Sequence, residues 1–259
     1  MKKIMLAAFP LLLLSALNSN AQKKVDPDSL VNEAKKTEVW EPVPAVVTPG
    51  KTNADAPSDA IILFNGKNTN AFQKTDGTAI GWKIDQLGIL NVVKGSGYIQ
   101  TKEVFGSCQL HIEWRTPLAI AGSGQTRGNS GIFLMGRYEL QVLDSYNNPT
   151  YPNGQAGSIY KQFIPLVNAS RKPGEWQTYD IIFTAPQFFS DGTLQQPAYI
   201  TVLHNGILVQ NHVAIKGNTE WIGAAAYKAH NAKEPLAIQD HGLDGGNPDS
   251  FRNIWIRPL

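Results

Sequence analysis

From about residue 60 onward the sequence never sustains a helical period. Short apolar or alternating runs recur instead, each closed by Gly, Asn or Pro. Period-2 alternation suits half-buried strands, and that punctuation suits tight turns. Strands are expected near residues 60–64, 82–84, 89–93, 97–101, 108–115, 130–135, 138–143, 177–183, 198–203, 207–214 and 254–256. Two turns are explicit. Asn205-Gly206 separates two runs, and Asn-Gly is a strong hairpin signal. Gly136-Arg137 separates two more. The 24 aromatics (6 Trp, 8 Tyr, 10 Phe) and 23 Gly fit the same reading, an all-β sandwich or barrel. No internal repeat appears.

The first 58 residues have a different texture. Lys2-Lys3 precede an apolar stretch from Ile4 to Leu17, and Ser19-Asn20-Ala21 follows. A basic start, a short apolar core and small residues before a cut describe an export signal. Residues 1–21 are therefore expected to be removed, and the protein to be periplasmic or extracellular. The apolar run is too short for stable membrane insertion. No Cys follows the cut, which argues against a lipid anchor. Residues 22–58 carry lysine pairs and several prolines but few core-like runs, so they read as a leader or linker. Within it, residues 28–36 suit a short helix capped by Asp28 or Ser29. The sandwich domain is expected over residues 59–259.

Charge excludes one class of partner. The chain has 23 Lys+Arg and 21 Asp+Glu, and losing Lys2 and Lys3 balances them. A near-neutral chain lacks the basic face that nucleic-acid binding needs. The single cysteine, Cys108, cannot form an internal disulfide. It alternates with apolar residues and reads as a small buried hydrophobe.

Three clusters carry chemistry. In the run 108–115, Cys108, Leu110, Ile112 and Trp114 share one face, while Gln109, His111, Glu113 and Arg115 share the other. The polar face is either a solvated surface with cross-strand ion pairs or the floor of a groove. In the run 138–143, Glu139 and Gln141 share a face inside an apolar strand, where a carboxylate needs a partner such as Arg115, or a ligand. In the third, Gln239-Asp240-His241-Gly242 leads into a glycine-rich loop with Gly245 and Gly246. His241 titrates near neutrality and suits an acid, a base or a metal ligand. The histidines show no zinc-protease spacing, and no phosphate loop, nucleophile elbow or dinucleotide fingerprint is present.

Several motifs resemble those of the 3-keto-disaccharide hydrolase domain family. They are Ile62-Leu63-Phe64-Asn65-Gly66-Lys67, Gly128-Asn129-Ser130-Gly131, Tyr138-Glu139-Leu140-Gln141-Val142-Leu143-Asp144, Gly174-Glu175-Trp176-Gln177, Asn205-Gly206, Leu236 through His241, and Phe251-Arg252-Asn253-Ile254. They fall in the family's order from about Ala60 to Leu259. The resemblance implies a concanavalin A-like β-sandwich (a jelly roll) with a concave sugar-binding face. It also implies cleavage of glycosides whose sugar carries a ketone at carbon 3. Such a ketone acidifies the hydrogen on carbon 2, so a base can start an elimination that expels the substituent at carbon 1, and water then adds. Glu139 or His241 is the expected base, and Arg115, Gln141 or a divalent cation the expected holder of the enolate oxygen. No other cofactor is implied. The rival chemistry is direct displacement by paired carboxylates, Glu113 and Glu139. Asn129, Ser130, Asp144, Gln239 and Arg252 are further substrate-contact candidates. The aromatic loop Phe188-Phe189-Ser190-Asp191-Gly192 departs from the pattern, and either rims the groove or packs on the leader. The same fold also serves as a non-catalytic carbohydrate-binding module, which would rest on Trp and Tyr platforms.

Overall fold

The computed structural model describes residues 27–242 and 249–259. The export signal, its cut after Ala21, and Gly245 and Gly246 lie outside the described residues. The chain divides into two units between Val46 and Val47. In the first, the expected short helix forms as α1 (Pro27–Lys35), with Asp28 in its first turn, Lys35 in its last and no buried residue. Those charges complement the helix dipole. Within the leader expected over residues 22–58, residues from Val47 onward belong to the second unit.

In that second unit the strands run β1 (Ile61–Phe64), β2 (Phe72–Lys74), β3 (Lys83–Ile84), β4 (Leu90–Asn91), β5 (Ile99–Phe105), β6 (Cys108–Arg115), β7 (Asn129–Leu134), β8 (Tyr138–Leu143), β9 (Gln177–Thr184), β10 (Gln187–Phe188), β11 (Leu194–Gln196), β12 (Tyr199–His204), β13 (Ile207–Ala214), β14 (Glu234–Ile238) and β15 (Ser250–Pro258). One sheet has the order β13-β12-β9-β6-β15-β4-β3, with β1 also paired to β15. The other has the order β2-β5-β14-β7-β8, and β10 and β11 form a separate hairpin. The pairings are antiparallel. This is the expected all-β sandwich.

Alternation decides what lies between the sheets. Cys108, Leu110, Ile112 and Trp114 of β6 are buried with Tyr179, Ile181 and Phe183 of β9. Ile132, Leu140, Val142 and Ile238 are buried in the other sheet and belong to the same core. Tyr179 Oη crosses the core to donate to the Gln141 carbonyl at 2.8 Å. The Asn205-Gly206 turn takes positive φ at both residues (53° and 79°), the type I′ geometry that Asn-Gly favours.

Strand β15 contains a bulge. Arg252 faces Glu113 and Trp255 faces His111, with a register shift between them. Asn253 sits there at φ 45°, a left-handed conformation that Asn tolerates. The extra residue places Arg252 and Asn253 together beside Glu113.

Candidate functional site

The β7–β8 hairpin builds the floor of the principal cleft. Its turn takes positive φ at Met135 (54°) and Gly136 (64°). The register sets Gly131 opposite Gln141 and Phe133 opposite Glu139. These four residues therefore share the face turned away from the core, while Ile132 and Leu140 fill the core. A Cβ on Gly131 would lie 2.5 Å from Glu139 Oε1. Only glycine lets the Glu139 carboxyl lie across β7.

The cleft has a volume of about 590 Å³, and Asn129, Phe133, Glu139 and Gln141 line it together with Gln125 and Thr126. Tyr98, Gln239, Asp240 and His241 also line it, as do Tyr151, Tyr160, Thr219 and Trp221. The backbone of Glu139 anchors two of the lining segments. Tyr160 N donates to its carbonyl at 3.2 Å, and its own N–H donates to Thr219 Oγ1 at 3.0 Å. An amide cluster lies beside it: Gln141 Nε2 donates to Gln125 Oε1 and Asn129 Oδ1, each at 3.2 Å. Among the described residues, Gln141 Oε1 and Gln239 Oε1 are buried acceptors without a hydrogen bond. Unfilled buried acceptors in a cleft suit a ligand rich in hydroxyls. Asp240 is held by backbone donors, Gly97 N at 3.0 Å and Gly242 N at 3.0 Å.

Glu139 is 5% exposed. Burial pushes its carboxyl from 4.5 up to about 8, and no neighbouring cation offsets that among the described residues. A carboxyl poised near neutrality can both release and return a proton. Among the described residues, no three His, Cys, Asp or Glu side chains form a metal-ligand group.

The structure brings together Glu139, His241, Asn129, Gln141 and Gln239. It separates the others. Ser130 faces the core side of β7 and donates to the Gln239 carbonyl at 2.7 Å. Asp144 accepts from buried Arg127, with Nε at 2.8 Å. Glu113, Arg115 and Arg252 belong to the eight-stranded sheet, so Arg115 is not the partner of Glu139. Glu113 accepts from Arg252 Nε at 2.6 Å and from Asn253 Nδ2 at 2.9 Å. His111 Nδ1 lies 2.7 Å from Asp180 Oδ1, with Nε2 3.6 Å from Glu113. Burial opposes charge on His111, but the Asp180 and Glu113 carboxylates outweigh it and raise the imidazole to about 9. Burial likewise opposes charge on Glu113, but His111, Asn253 and Arg252 hold it down at about 2. Arg115 and Arg252 stack on Trp176, at 4.8 and 4.1 Å from the ring centre. The polar face of β6 is thus a structural ion-pair network, and a Glu113–Glu139 displacement pair is not assembled.

The aromatic loop forms the β10–β11 hairpin. Phe188 packs edge-on against Tyr227 and His230, at 6.1 and 5.1 Å between ring centres, and is not part of the cleft wall. Sequence reasoning missed Tyr98, Gln125, Thr126, Phe133, Tyr151, Tyr160, Thr219 and Trp221. Aromatics in polar, Gly- and Pro-marked stretches, such as Tyr151-Pro152 and Trp221-Ile222-Gly223, are the signal that was available.

Among curated proteins none matches the chain. Among solved structures, a candidate glycosyl hydrolase of Parabacteroides distasonis ATCC 8503 is 54% identical, with a TM-score of 0.83 over 87% of this chain and 96% of that one. A second from the same organism is 18% identical, with a TM-score of 0.55 over 83% of this chain and 100% of that one. At that identity it speaks for the fold alone, a two-sheet antiparallel β-sandwich. Residues 59–257 match the 3-keto-alpha-glucoside-1,2-lyase-like domain, and on that match the chain belongs to this family.

Proposed function

We propose that the protein is an exported enzyme, periplasmic or extracellular, that cleaves glycosides and disaccharides of 3-keto sugars by elimination followed by hydration. The observation that carries this reading is Glu139, a buried carboxyl with no cation partner among the described residues, on the floor of a cleft lined by amides and tyrosines. Family membership supplies the substrate class. In the reaction, a base takes the proton from carbon 2 of the sugar. The electron pair is held on the carbon 3 oxygen as an enolate, then forms the bond between carbons 1 and 2 as the carbon 1–oxygen bond breaks. A second group protonates the leaving oxygen, and water adds across the new double bond. Glu139 and His241 are the two proton carriers of the cleft, and Gln141, Asn129 and Gln239 supply amide contacts to sugar oxygens. The Oε1 acceptors of Gln141 and Gln239, free among the described residues, accept hydrogen bonds from sugar hydroxyls and so orient the ring over Glu139.

The test is incubation with a 3-keto-glucoside, with and without chelator, followed by product analysis. Release of the aglycone with a 2-hydroxy-3-keto-glucal intermediate is the expected result. Loss of activity with chelator would assign the enolate oxygen to a divalent cation. Glycan binding without cleavage of any 3-keto sugar would overturn the proposal in favour of a binding module. For export, N-terminal sequencing of the secreted protein should begin at Gln22, and a retained Met1 would sink that part.

A further inference from the structure

The cleft is chemically lopsided. Its amides, Gln125, Asn129, Gln141 and Gln239, are the groups that match a ring of hydroxyls. Tyr151, Tyr160 and Trp221 present a different surface. The hydroxyls of Tyr151 and Tyr160 are 2.8 Å apart; that one bond uses a single O–H, so the pair offers a ligand two rings and one remaining donor. Trp221 is 73% exposed and its neighbour Ile222 76%, although Trp221 also lines the cleft. A large apolar side chain left in water at the wall of a binding cleft marks a contact yet to be made.

Trp221 is placed from two sides. Lys161 Nζ donates to its carbonyl at 2.6 Å. Two residues earlier, Thr219 N donates to the Arg137 carbonyl at 2.9 Å, and Thr219 Oγ1 accepts from the Glu139 N–H at 3.0 Å. Tyr160, just before Lys161, donates its N–H to the Glu139 carbonyl at 3.2 Å. The aromatic wall is therefore hung from the residue that carries the reactive carboxyl. The cleft volume of about 590 Å³ lies within the roughly 300–1,000 Å³ of sites that enclose drug-sized ligands, so a second group fits beside the sugar.

We propose that Trp221, with Tyr151 and Tyr160, forms the leaving-group subsite of the cleft and selects substrates whose aglycone is planar and apolar. The inference rests on the 3-keto-glycoside reading and deepens it by naming the aglycone class. Aromatic faces gain from stacking on a flat, apolar group and gain little from a methyl group.

The test compares 4-nitrophenyl and methyl 3-keto-glucosides on the full protein and on Trp221→Ala. Taking the ratio of kcat/KM for the two substrates within each protein removes any general loss of activity. That ratio should fall about 10- to 100-fold in Trp221→Ala, the range for losing a hydrophobic substrate contact. The fall should lie in KM rather than kcat, as for binding shared by ground and transition states. Trp221→Phe, which keeps a ring, should recover much of it. An unchanged ratio in Trp221→Ala would overturn the inference while leaving the proposed function intact. A wild-type protein that cleaves neither compound would overturn both.

Discussion

Replacing Glu139 with Gln should remove activity and stabilise the protein at the same time. Burial lifts the Glu139 carboxyl from 4.5 to about 8. In the unfolded chain the group loses its proton as pH passes 4.5, whereas in the folded protein it keeps it until about pH 8. Between those values the unfolded state binds fewer protons, so stability falls as pH rises. Over the whole interval the effect corresponds to about 5 kcal/mol. Relaxation of the surrounding protein dipoles offsets part of the burial penalty, so roughly half of that, about 2–3 kcal/mol, should be realised. Gln keeps the shape and has no proton to lose. The two proteins should therefore melt alike at pH 4 and diverge above it. By pH 8 the variant should melt about 5–10 °C higher, at about 2–4 °C per kcal/mol for a domain of this size. Thermal melts from pH 4 to 9, with 3-keto-glucoside turnover measured on the same samples, provide the assay. Turnover should drop by about two to four orders of magnitude. Parallel melting curves across that range would refute the claim that the fold holds Glu139 neutral. Full turnover in a folded variant would remove it from the mechanism.

On the other sheet, Glu113→Gln should do the reverse. It should lower stability by about 1–3 kcal/mol, because the buried carboxylate pairs with a half-exposed Arg252, and should leave cleavage of 3-keto sugars in place. The stabilisation from this network should be complete between about pH 4.5 and 6.5. It should be lost as pH rises through about 9, where His111 loses its proton, or falls through about 2, where Glu113 gains one. Unchanged melting with abolished turnover would return Glu113 to the reactive site. Deleting residues 22–46 should leave the cooperative melting of Val47–Leu259 intact. Deletion through Ala56 removes the Ala54 carbonyl, which accepts from Asn253 Nδ2 at 2.8 Å and Trp255 Nε1 at 2.9 Å, and should cost about 2 kcal/mol or more. Equal melting of the two truncations would contradict that role. Burial pushes the Cys108 thiol up to about 12, so it should resist thiol reagents until the protein unfolds. Rapid labelling of native protein would count against its core position.

Alternation made the strands and their inward faces readable. Every second residue of 108–114 is buried where the pattern puts it, and Glu139 shares a face with Gln141 as period 2 requires. The pattern does not say which sheet a strand joins. For that reason Glu113 and Glu139 looked like partners in the sequence and belong to different sheets in the structure. Strand β14 escaped because Pro235 interrupts it, although Leu236 and Ile238 still alternate inward. Strand β2 is three residues long, too short to show a period. The bulge at Asn253 was invisible, since a register shift depends on the neighbouring strand. The cleft wall was the least legible part. Tyr151, Tyr160 and Trp221 come from loops, and only long-range hydrogen bonds such as Tyr160 N to the Glu139 carbonyl bring those loops to β8, which no local pattern encodes.

Strand β15 follows the other fourteen in the sequence, yet it lies in the middle of the larger sheet, between β6 on one side and β1 and β4 on the other. A nascent chain that has reached only β14 has no interior rail along which those three strands can close. The pairing of β1 with β15 spans nearly the whole domain, so the sandwich has a high contact order and a slow, late closure. A chain made only through β14 therefore cannot close the domain, and it shows unpaired strand edges to whatever chaperone meets it. Loss of residues 250–259 alone would not be a marginal change. It would withdraw the strand that joins β6 to β1 and β4, and leave a chain fit for proteolysis rather than for catalysis.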